Sequence, residues 1–341
     1  MSSDQSLSIS VVMPAYNAEH LLPRVLPPVI EMLNTGQVQQ VLVVDDQSPD
    51  GTAALAREMG ATVLATPVNG GPGAARNLAA QQATGDILWF VDSDVIAWPD
   101  GPDHIRGAMS EDNVGAVFGS YDDAPDGQAW FSRYKNLLHR YHHQRARREA
   151  RTFWAGCGAI RRDVFLEVGG FDVKTYEVPS IEDIELGYRI AATGRRILVE
   201  PLLQGKHLKV WTIRNSLSTD IFCRALPWAR LMISREGLTD DLNTSMAERA
   251  RAAIAGLLLL SLLALPFWPG TWPLPLLVLA AAFVANLDLV RAMSGHGGPW
   301  FAFKCLLYHQ VYYVYSATIY VWCLFEYHML GQKQKLRVTR N

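Results

Sequence analysis

The strongest constraint on the fold is an alternation of short apolar runs with helical stretches over the first third of the chain. The apolar runs are rich in Val, Ile and Leu and lack alternating polar residues; they cover residues 9–13, 38–45, 61–65, 86–91 and 114–121. Such runs are typical of strands buried in a parallel sheet that helices cover on both faces. The alternation therefore predicts an α/β fold with a doubly wound, mostly parallel sheet.

Helices are predicted between and beyond these strands. They cover residues 18–33, a stretch after Asp50, and residues 73–82, 128–151 and 180–192. Three further strands are predicted over residues 154–160, 196–199 and 203–209. In open α/β sheets, ligands bind at the carboxyl ends of the strands. The predicted ligand site is therefore marked by the polar clusters that follow strands, at residues 14–17, 45–50 and 92–94.

The composition limits the classes of function. A chain of 341 residues is long enough for one large domain with an appendage. A net charge of −2 and a charged fraction of 19% give no indication of a nucleic-acid partner. The four cysteines show no CxxC pair, so neither a disulfide framework nor a zinc site is predicted. Residues 1–8 are polar and do not start a signal peptide, which predicts a cytosolic N-terminal part.

The C-terminal third contains a long stretch without charged residues, at positions 252–287. Its two halves, residues 252–268 and 271–287, have 17 residues each, the lower limit for a membrane-spanning helix. Neither half has a polar face, which favours a membrane hairpin over two helices buried in a soluble core. Residues 305–325 form a third uncharged run, which is rich in tyrosine.

These patterns divide the chain into four predicted regions. They are an α/β domain over residues 1–211, interfacial amphipathic helices over 212–250, transmembrane or membrane-embedded helices over 251–330, and a basic tail over 331–341. The expectation is an integral, multi-pass membrane protein whose α/β domain faces the cytosol.

Basic residues flank the two halves of the apolar hairpin. Arg249 and Arg251 precede the first half, and Arg291 and Lys304 follow the second, so both flanks are predicted to be cytosolic. A third span over residues 305–325 would place the basic tail on the opposite side. The number and orientation of the spans are therefore left open.

The segment Asp92-Ser93-Asp94 directly follows the fourth predicted strand. Alternation along an extended chain sends the side chains of Asp92 and Asp94 to the same side. Two carboxylates at the carboxyl edge of a sheet form half of a site for Mg²⁺ or Mn²⁺, with substrate phosphates and water as the other ligands. Such an ion acts as a Lewis acid on a leaving diphosphate. The plainer interpretation of this segment is a turn.

Residues 45–52 also follow an apolar strand. Ser48 or Asp50 could serve only to cap the next helix. The adjacent carboxylates of Asp45 and Asp46 repel each other unless a ligand or a donor group binds there, and an aspartate can accept hydrogen bonds from a nucleotide base. The segment is thus a second candidate for ligand contacts.

Residues 69–77 form a glycine-rich loop that enters a helix. Its backbone amides, together with Arg76, are suited to an anion. The loop lacks the Gly-Lys-Ser/Thr ending of a P-loop and the position and spacing of a dinucleotide fingerprint.

Together these motifs resemble glycosyltransferase family 2, whose members have the GT-A fold. The matching segments are Pro14-Ala15-Tyr16-Asn17, residues 45–52, 73–77 and 85–86, Asp92-Ser93-Asp94, residues 156–159 and 169–172, and Glu182-Asp183. The resemblance covers roughly residues 8–212, and the order and spacing of the segments are specific. It implies an inverting transfer of a sugar from a nucleotide-sugar donor.

The resemblance assigns the donor to residues at the strand ends. It implies nucleotide-sugar contacts for Pro14, Tyr16, Asn17, Asp46, Arg76, Asp92 and Ser93. Within this set, Asp46 would read the base, Arg76 would lie beside the nucleotide, and Asp92 would contact the ribose or the donor sugar. Lys206 or Lys209 would meet the diphosphate.

The resemblance also implies metal ligands and a catalytic base. Asp94 would bind the ion, with His207 as a further ligand. Asp183 would remove the proton of the acceptor hydroxyl, and Glu182 would position the acceptor or the base. The alternatives are a structural histidine at His207 and an acidic helix N-terminus, stabilised by the helix dipole, at Glu182 and Asp183.

The expected function is the transfer of a single sugar to a hydroxyl of a lipid or lipid-linked glycan acceptor at the membrane. The membrane segments indicate such an acceptor, and a catalytic base indicates a hydroxyl nucleophile. The Gln-x-x-Arg-Trp pattern of processive synthases is absent, which argues against polymer synthesis. Three alternatives stay open: transfer to a polyprenyl phosphate carrier, a nucleotidyltransferase, and a non-catalytic membrane scaffold.

Overall fold

The computed structural model describes residues 7–237, 244–331 and 338. The chain divides into two compact units, of which the first comprises Met1–Gly127, His143–Val210 and Arg337–Asn341, and the second Gln128–His142 and Trp211–Leu336. Three predicted regions fall partly outside the described residues: positions 1–6 of the α/β domain, positions 238–243 of the interfacial stretch, and the basic tail apart from Gly331 and Val338.

A mixed sheet forms the first unit. Its described strands are β1 (Ile9–Ala15), β2 (Gln40–Asp45), β3 (Thr62–Ala65), β4 (Ile87–Val91), β5 (Val95–Ala97), β6 (Val114–Tyr121), β7 (Glu149–Ala150), β8 (Cys157–Arg161) and β9 (Arg196–His207). They lie in the order β3-β2-β1-β4-β8-β6-β9-β5, and β7 pairs with β9. The half from β3 to β4 is parallel, as predicted. Beyond β4 the prediction of a mostly parallel sheet is wrong, because β8 runs antiparallel to β4 and β6, and β5 runs antiparallel to β9.

Helices pack against the sheet of the first unit. They are α1 (Leu22–Asn34), α2 (Thr52–Glu58), α3 (Gly71–Gln82), α4 (Gly101–Ala108), α6 (Arg162–Glu167) and α7 (Glu182–Ala192), while α5 (Trp130–Arg145) is divided between the units. Every residue of β1, β4 and β6 is buried, in agreement with their continuous apolar sequences. α1 buries apolar residues at helical spacing, namely Leu22, Val25, Leu26, Val29 and Met32.

The strand β9 differs from its prediction. The sequence predicts two strands over residues 196–199 and 203–209, whereas the structure has one strand that is parallel to β6 with a shift of register between Phe118 and Ser120. At this shift Gly119 packs so closely on the Leu203 carbonyl that a Cβ atom would lie 1.7 Å from its oxygen. The strand therefore continues past the irregularity and carries its last residue, His207, to the site.

The second unit consists of helices. Besides part of α5, its described elements are α8 (Ile213–Ser218), α9 (Leu226–Leu231), α10 (Met246–Ala264), α11 (Pro273–Ala285) and α12 (Leu287–Met329). π-Helical segments, Thr219–Ala225 and Met232–Glu236, follow α8 and α9, so residues 213–236 of the predicted interfacial region are helical but irregular. The dihedral angles of α12 leave the helical range at Gly298, whose φ is 77°, directly before Pro299.

The predicted membrane runs fall on α10, α11 and the later part of α12. α10 begins at Met246, so it includes Glu248, Arg249 and Arg251, and α11 has only 13 residues. Among the residues that the structure describes, no single helix is both long enough and apolar enough to cross a membrane. One pair, Pro269–Ala285 with Leu287–Met329, meets these criteria of length and composition jointly and is bent by 76°.

A surface of large apolar side chains is exposed on α10, α11 and the turn between them. These side chains, named here the apolar hairpin surface, are Leu257, Leu259, Leu260, Leu262, Leu263, Phe267, Trp268, Trp272, Leu274, Leu276, Leu277, Phe283 and Val284. Exposed apolar patches of this extent on a protein mark surfaces that contact a partner or a membrane.

Candidate active site

The carboxyl ends of β1, β2 and β4 meet at one edge of the sheet. The parallel register pairs Asp45 with Ala15 on one side and with Ala65 on the other. Asn17 and Gln47, just beyond β1 and β2, have φ angles of 51° and 64°. Left-handed angles are uncommon in residues other than glycine, and such strained backbone clusters at functional sites. The edge that the sequence predicts to bind a ligand is thus also an edge of strained backbone.

Three residues predicted to line the nucleotide pocket lie at the end of β1. Pro14 is buried within the strand, opposite Val44. Tyr16 is 55% exposed, and Asn17 is exposed as well. The backbone amide of Asn17 donates a hydrogen bond of 3.0 Å to Ser48 Oγ, which joins the loops after β1 and β2. Tyr16 and Asn17 are therefore open to solvent at this edge, while Pro14 supports them from inside the sheet.

Asp46 is buried and hydrogen-bonded to groups of the chain itself. Its Oδ1 accepts hydrogen bonds from Thr66 Oγ1 at 2.7 Å and Gly70 N at 2.9 Å, and its Oδ2 accepts one from Gly71 N at 2.7 Å. These bonds hold the glycine-rich loop at the start of α3. The base-reading role that the resemblance implies for Asp46 stays a prediction. The neighbouring Asp45 accepts a hydrogen bond from Ser48 N at 3.2 Å.

Arg76 of α3 forms an ion pair with Asp92. The arginine side chain is only 4% exposed, and its Nη2 donates a hydrogen bond of 2.5 Å to Asp92 Oδ1. The guanidinium lies 5.9 Å and 5.4 Å from the ring centroids of Phe90 and Phe171. Burial raises the pKa of Asp92 above its ordinary value and outweighs the attraction of Arg76. This pair fixes the first carboxylate of the Asp92-Ser93-Asp94 turn, in which Ser93 is partly buried.

Asp94 and His207 are brought together by the pairing of β5 with β9. Val95 is the register partner of His207, and the amide of Leu208 donates a hydrogen bond of 2.8 Å to the carbonyl oxygen of Asp94. His207 Nε2 lies 3.4 Å from Asp94 Oδ2. The imidazole stacks on the ring of Tyr121, with centroids 4.1 Å apart and planes at 7°. The structure thus places the two predicted metal ligands side by side.

The donor set of Asp94 and His207 suits a divalent cation. Two ligands of one octahedral ion lie roughly 3 Å apart when each is about 2.1 Å from it. Among the described residues, no group of three or more His, Cys, Asp or Glu side chains is placed to hold a metal. A Mg²⁺ or Mn²⁺ ion held by Asp94 and His207 would take its remaining ligands from phosphate and water. Burial raises the pKa of Asp94, but the hydrogen bond and charge of His207 and the charge of Lys209 bring it below its ordinary value.

The two lysines near His207 face different neighbours. Lys206 Nζ lies 3.9 Å from Asp126, a carboxylate that also forms hydrogen bonds of 2.7 and 2.9 Å with Arg24. Lys209 is exposed, and its charge lowers the pKa of Asp94. Of the two predicted diphosphate contacts, Lys209 is therefore the one whose charge acts on Asp94.

Glu182 and Asp183 begin α7. Asp183 Oδ1 accepts a hydrogen bond of 2.8 Å from Ile184 N, and its Oδ2 accepts one of 3.2 Å from Ala155 N. Glu182 is buried and accepts a hydrogen bond of 2.7 Å from Ser180 N. Burial, with the negative charge of Asp183, raises the pKa of Glu182 to about 7, and burial also raises the pKa of Asp183. Raised carboxyl pKa values are suited to proton transfer near neutral pH.

One arginine relates this acidic pair to the Asp92 turn. The positive charge of Arg76 acts on Glu182, Asp183 and Asp92, and it partly offsets the burial that raises the pKa of each of them. The backbone gives a second connection, because Asp92 N donates a hydrogen bond of 3.3 Å to the carbonyl of Gly156, the residue after Ala155. The acidic segments predicted as metal site and base are therefore neighbours in the folded chain.

Sequence reasoning gave no role to the aromatic residues beside these groups. Trp154 meets Tyr121 edge-to-face, with ring centroids 4.9 Å apart and planes at 90°. The sequence offers only the position of Trp154, just before the Gly156 motif, as a signal. Burial raises the pKa of the Cys157 thiol to about 12, which favours its protonated form.

The fold and the site define a GT-A-type α/β domain with acidic side chains at one edge of its sheet. Residues 10–169 match the family described as Glycosyl transferase family 2. Residues 10–169 therefore form a domain of this family, which confirms the resemblance seen in this part of the sequence.

Named relatives match part of the chain. A UDP-Glc:alpha-D-GlcNAc-diphosphoundecaprenol beta-1,3-glucosyltransferase, WfgD of Escherichia coli, is 30% identical over 117 residues, which are 33% of this chain and 46% of that protein. A poly(ribitol-phosphate) beta-glucosyltransferase of Bacillus spizizenii is 34% identical over 94 residues, 26% of this chain and 15% of the relative. The chain thus spans less than half the length of either relative.

Solved structures share the fold. The mannosyltransferase PcManGT of Pyrobaculum calidifontis, in complex with GDP-Man and Mn²⁺, superposes with a TM-score of 0.51 at 19% identity over 94% of this chain and 88% of its own. GalNAc-T7 with UDP, GalNAc and Mn²⁺ superposes with a TM-score of 0.50 at 19% identity over 60% of this chain and 44% of its own. At such identities the likeness establishes the fold.

Proposed function

We propose that this protein is an inverting glycosyltransferase that moves one sugar from a nucleotide-sugar donor to a hydroxyl group of an acceptor. The observation that carries the proposal is the pair Asp94–His207, 3.4 Å apart, at the same sheet edge as the carboxylates that open α7. Asp94 and His207 can hold the diphosphate through a cation, and the carboxylates of α7 can take a proton.

The chemistry requires a base on the side of the sugar opposite the leaving group. Asp183 takes the proton of the acceptor hydroxyl. The hydroxyl oxygen attacks the anomeric carbon as the bond from that carbon to the diphosphate breaks on the opposite side, so the configuration at the carbon is inverted. The carboxylate is oriented for this by the amides of Ala155 and Ile184. A divalent ion, when bound, supplies positive charge to the departing diphosphate. Lys209, exposed beside Asp94, adds to that positive charge.

The relatives support this assignment. WfgD is named for a UDP-Glc donor and a diphosphoundecaprenol-linked acceptor. The two structures with the same fold hold Mn²⁺ together with GDP-Man or UDP. The proposed cofactor is therefore Mg²⁺ or Mn²⁺, and the proposed donor is a nucleotide-sugar.

A thermal-shift titration tests donor and cation together. The detergent-solubilised protein is expected to gain thermal stability when UDP or GDP is added with Mn²⁺, because a ligand that binds only the folded state stabilises it. At a ligand concentration of about 100 times Kd, the gain is about 2.7 kcal/mol. EDTA should abolish the shift. Equal shifts with and without Mn²⁺, or no shift with any nucleotide-sugar, would contradict the proposal.

The proposed acceptor is a lipid or lipid-linked glycan, and the second unit supports this part. The apolar hairpin surface suits the hydrocarbon of a bilayer, and Trp268 and Trp272, near its turn, suit a membrane interface. Arg249 and Arg251, at the start of α10, suit a cytosolic leaflet. We therefore propose that α10 and α11 hold the enzyme in the membrane and that the first unit faces the cytosol.

Membrane attachment is tested by extraction and flotation. The full chain is expected to stay with membranes in high salt, to be released by detergent, and to float with liposomes. Leu277→Glu is expected to weaken retention, because a charge costs about 2.5–3.5 kcal/mol in hydrocarbon. Leu202→Glu, at a 60% exposed leucine of the first unit, is the matched control and should change nothing. Complete release by salt alone would contradict the proposal.

A further inference from the structure

The indole of Trp154 is separated from His207 by a single ring, that of Tyr121. It is partly buried, and it meets Tyr121 edge-to-face with centroids 4.9 Å apart. Tyr121 in turn stacks on His207 at 4.1 Å. The site described above gives neither aromatic residue a role toward substrate.

The backbone after Trp154 reaches the other two groups of the site. Ala155 N donates a hydrogen bond of 3.2 Å to the carboxylate of Asp183. The carbonyl of Gly156 accepts one of 3.3 Å from Asp92 N. Trp154 is therefore the first residue of the segment Trp154-Ala155-Gly156, whose backbone contacts Asp183 on one side and Asp92 on the other.

Gly156 allows the indole to lie over this segment. A Cβ atom at Gly156 would stand 2.5 Å from Cζ2 and 2.7 Å from Cε2 of Trp154. Real Cβ atoms do not approach other atoms so closely, so a side chain at this position would displace the ring. The indole thus covers the backbone that joins the base to the turn of the metal ligand.

We propose that the indole of Trp154 is the surface against which the ring of the transferred sugar packs. The inference rests on the proposed function, because the sugar must lie between a diphosphate at Asp94 and His207 and an acceptor hydroxyl at Asp183. One face of a pyranose ring carries C–H groups and is apolar, and an indole offers a large, rigid apolar face to it. The ligand of Trp154 is therefore the sugar of the donor, and its nucleotide is held elsewhere.

Two variants test this by separating sugar from nucleotide. Trp154→Leu is expected to lower kcat/KM for the nucleotide-sugar by about tenfold to a hundredfold, the range for the loss of a large aromatic contact. Its Kd for UDP or GDP with Mn²⁺ should stay within about threefold of wild type, less than 1 kcal/mol. Gly156→Ala keeps the tryptophan but displaces its ring, and should give the same pattern. Trp154→Phe retains a smaller ring and should lose less.

The outcomes separate a contact with sugar from a structural role. Equal loss of affinity for the nucleoside diphosphate and for the nucleotide-sugar would show that the indole only supports Tyr121 and His207, which overturns the inference. An unchanged kcat/KM in a folded Trp154→Leu protein would overturn it too. If the leucine and alanine variants do not fold, Trp154→Phe and Trp154→Tyr decide by the same ratio. Failure of the wild type to bind either diphosphate with Mn²⁺ would overturn the proposed function itself, and this inference with it.

Discussion

The Asp183→Asn variant is expected to lose sugar transfer by about a hundredfold to ten-thousandfold while it still binds the donor. Asparagine has nearly the shape of aspartate, and its side-chain oxygen can keep one of the bonds from Ala155 N and Ile184 N. Its amide cannot take the proton of an attacking hydroxyl. The loss should therefore appear in kcat, measured as product formed at saturating donor, with little change in the Kd of the nucleotide-sugar.

A carboxylate in a similar position on another helix provides the control. Asp103 also stands in the first turn of a helix, α4, and its side chain is 75% exposed. Asp103→Asn should leave transfer unchanged. Near wild-type turnover in Asp183→Asn would argue against a hydroxyl acceptor. It would favour an acceptor that arrives already ionised, such as the polyprenyl phosphate that the sequence leaves open.

Local sequence patterns predicted the parallel half of the sheet because β1, β2 and β4 are buried and read as continuous apolar runs, while the edge strand β3 is partly exposed but also apolar. The short strand β5, Val95–Ala97, is too brief to show any pattern. Yet β5 is the strand that places Val95 opposite His207. The resemblance named Asp94 and His207 as ligands, but only the long-range pairing of two strands shows that they meet.

The glycine-rich loop shows a second limit of sequence reasoning. In the sequence Asp46 is a carboxylate beside another, but in the structure it accepts hydrogen bonds from the Thr66 hydroxyl and from the backbone amides of Gly70 and Gly71, twenty or more positions further along the chain. Backbone donors carry no side-chain signal, so no residue pattern predicts such a bond. Trp154 was overlooked for a similar reason, because its neighbours Tyr121 and Gly156 become significant only in three dimensions.

In the second unit, the apolar runs of the sequence predict where the helices lie but not where they begin and end. The apolar runs identified which residues avoid water, but the helix ends follow capping and proline. α10 begins after Ser245, whose hydroxyl accepts a hydrogen bond from Glu248 N, so the helix starts in charged sequence. α11 begins at Pro273 and ends at Ala285, which leaves it shorter than its apolar run. Predicted spans and observed helices therefore coincide in place but differ in length.

Removal of the proposed metal ligand Asp94 is expected to have an effect as large as removal of the proposed base Asp183. Asp94→Asn should lower transfer by about a thousandfold, or about 4 kcal/mol of transition-state stabilisation. The amide has the size of the carboxylate but no charge, so His207 alone cannot hold a divalent ion against water. The thermal shift produced by UDP or GDP with Mn²⁺ should disappear together with activity.

The matched control is Asp126→Asn. The two aspartate side chains are equally exposed, at 28%, and both lie near β9, but Asp126 forms ion pairs with Arg24 and Lys206, whereas Asp94 pairs with His207. Its variant should keep the Mn²⁺-dependent shift and most of the activity. If excess Mn²⁺ restores Asp94→Asn to a large part of wild-type rate, the residue only strengthens a site built mainly by others. If Asp94→Asn retains both the shift and the rate without added metal, the cation does not bind at Asp94, and the diphosphate must be neutralised by the fixed positive charges of Arg76 and Lys209.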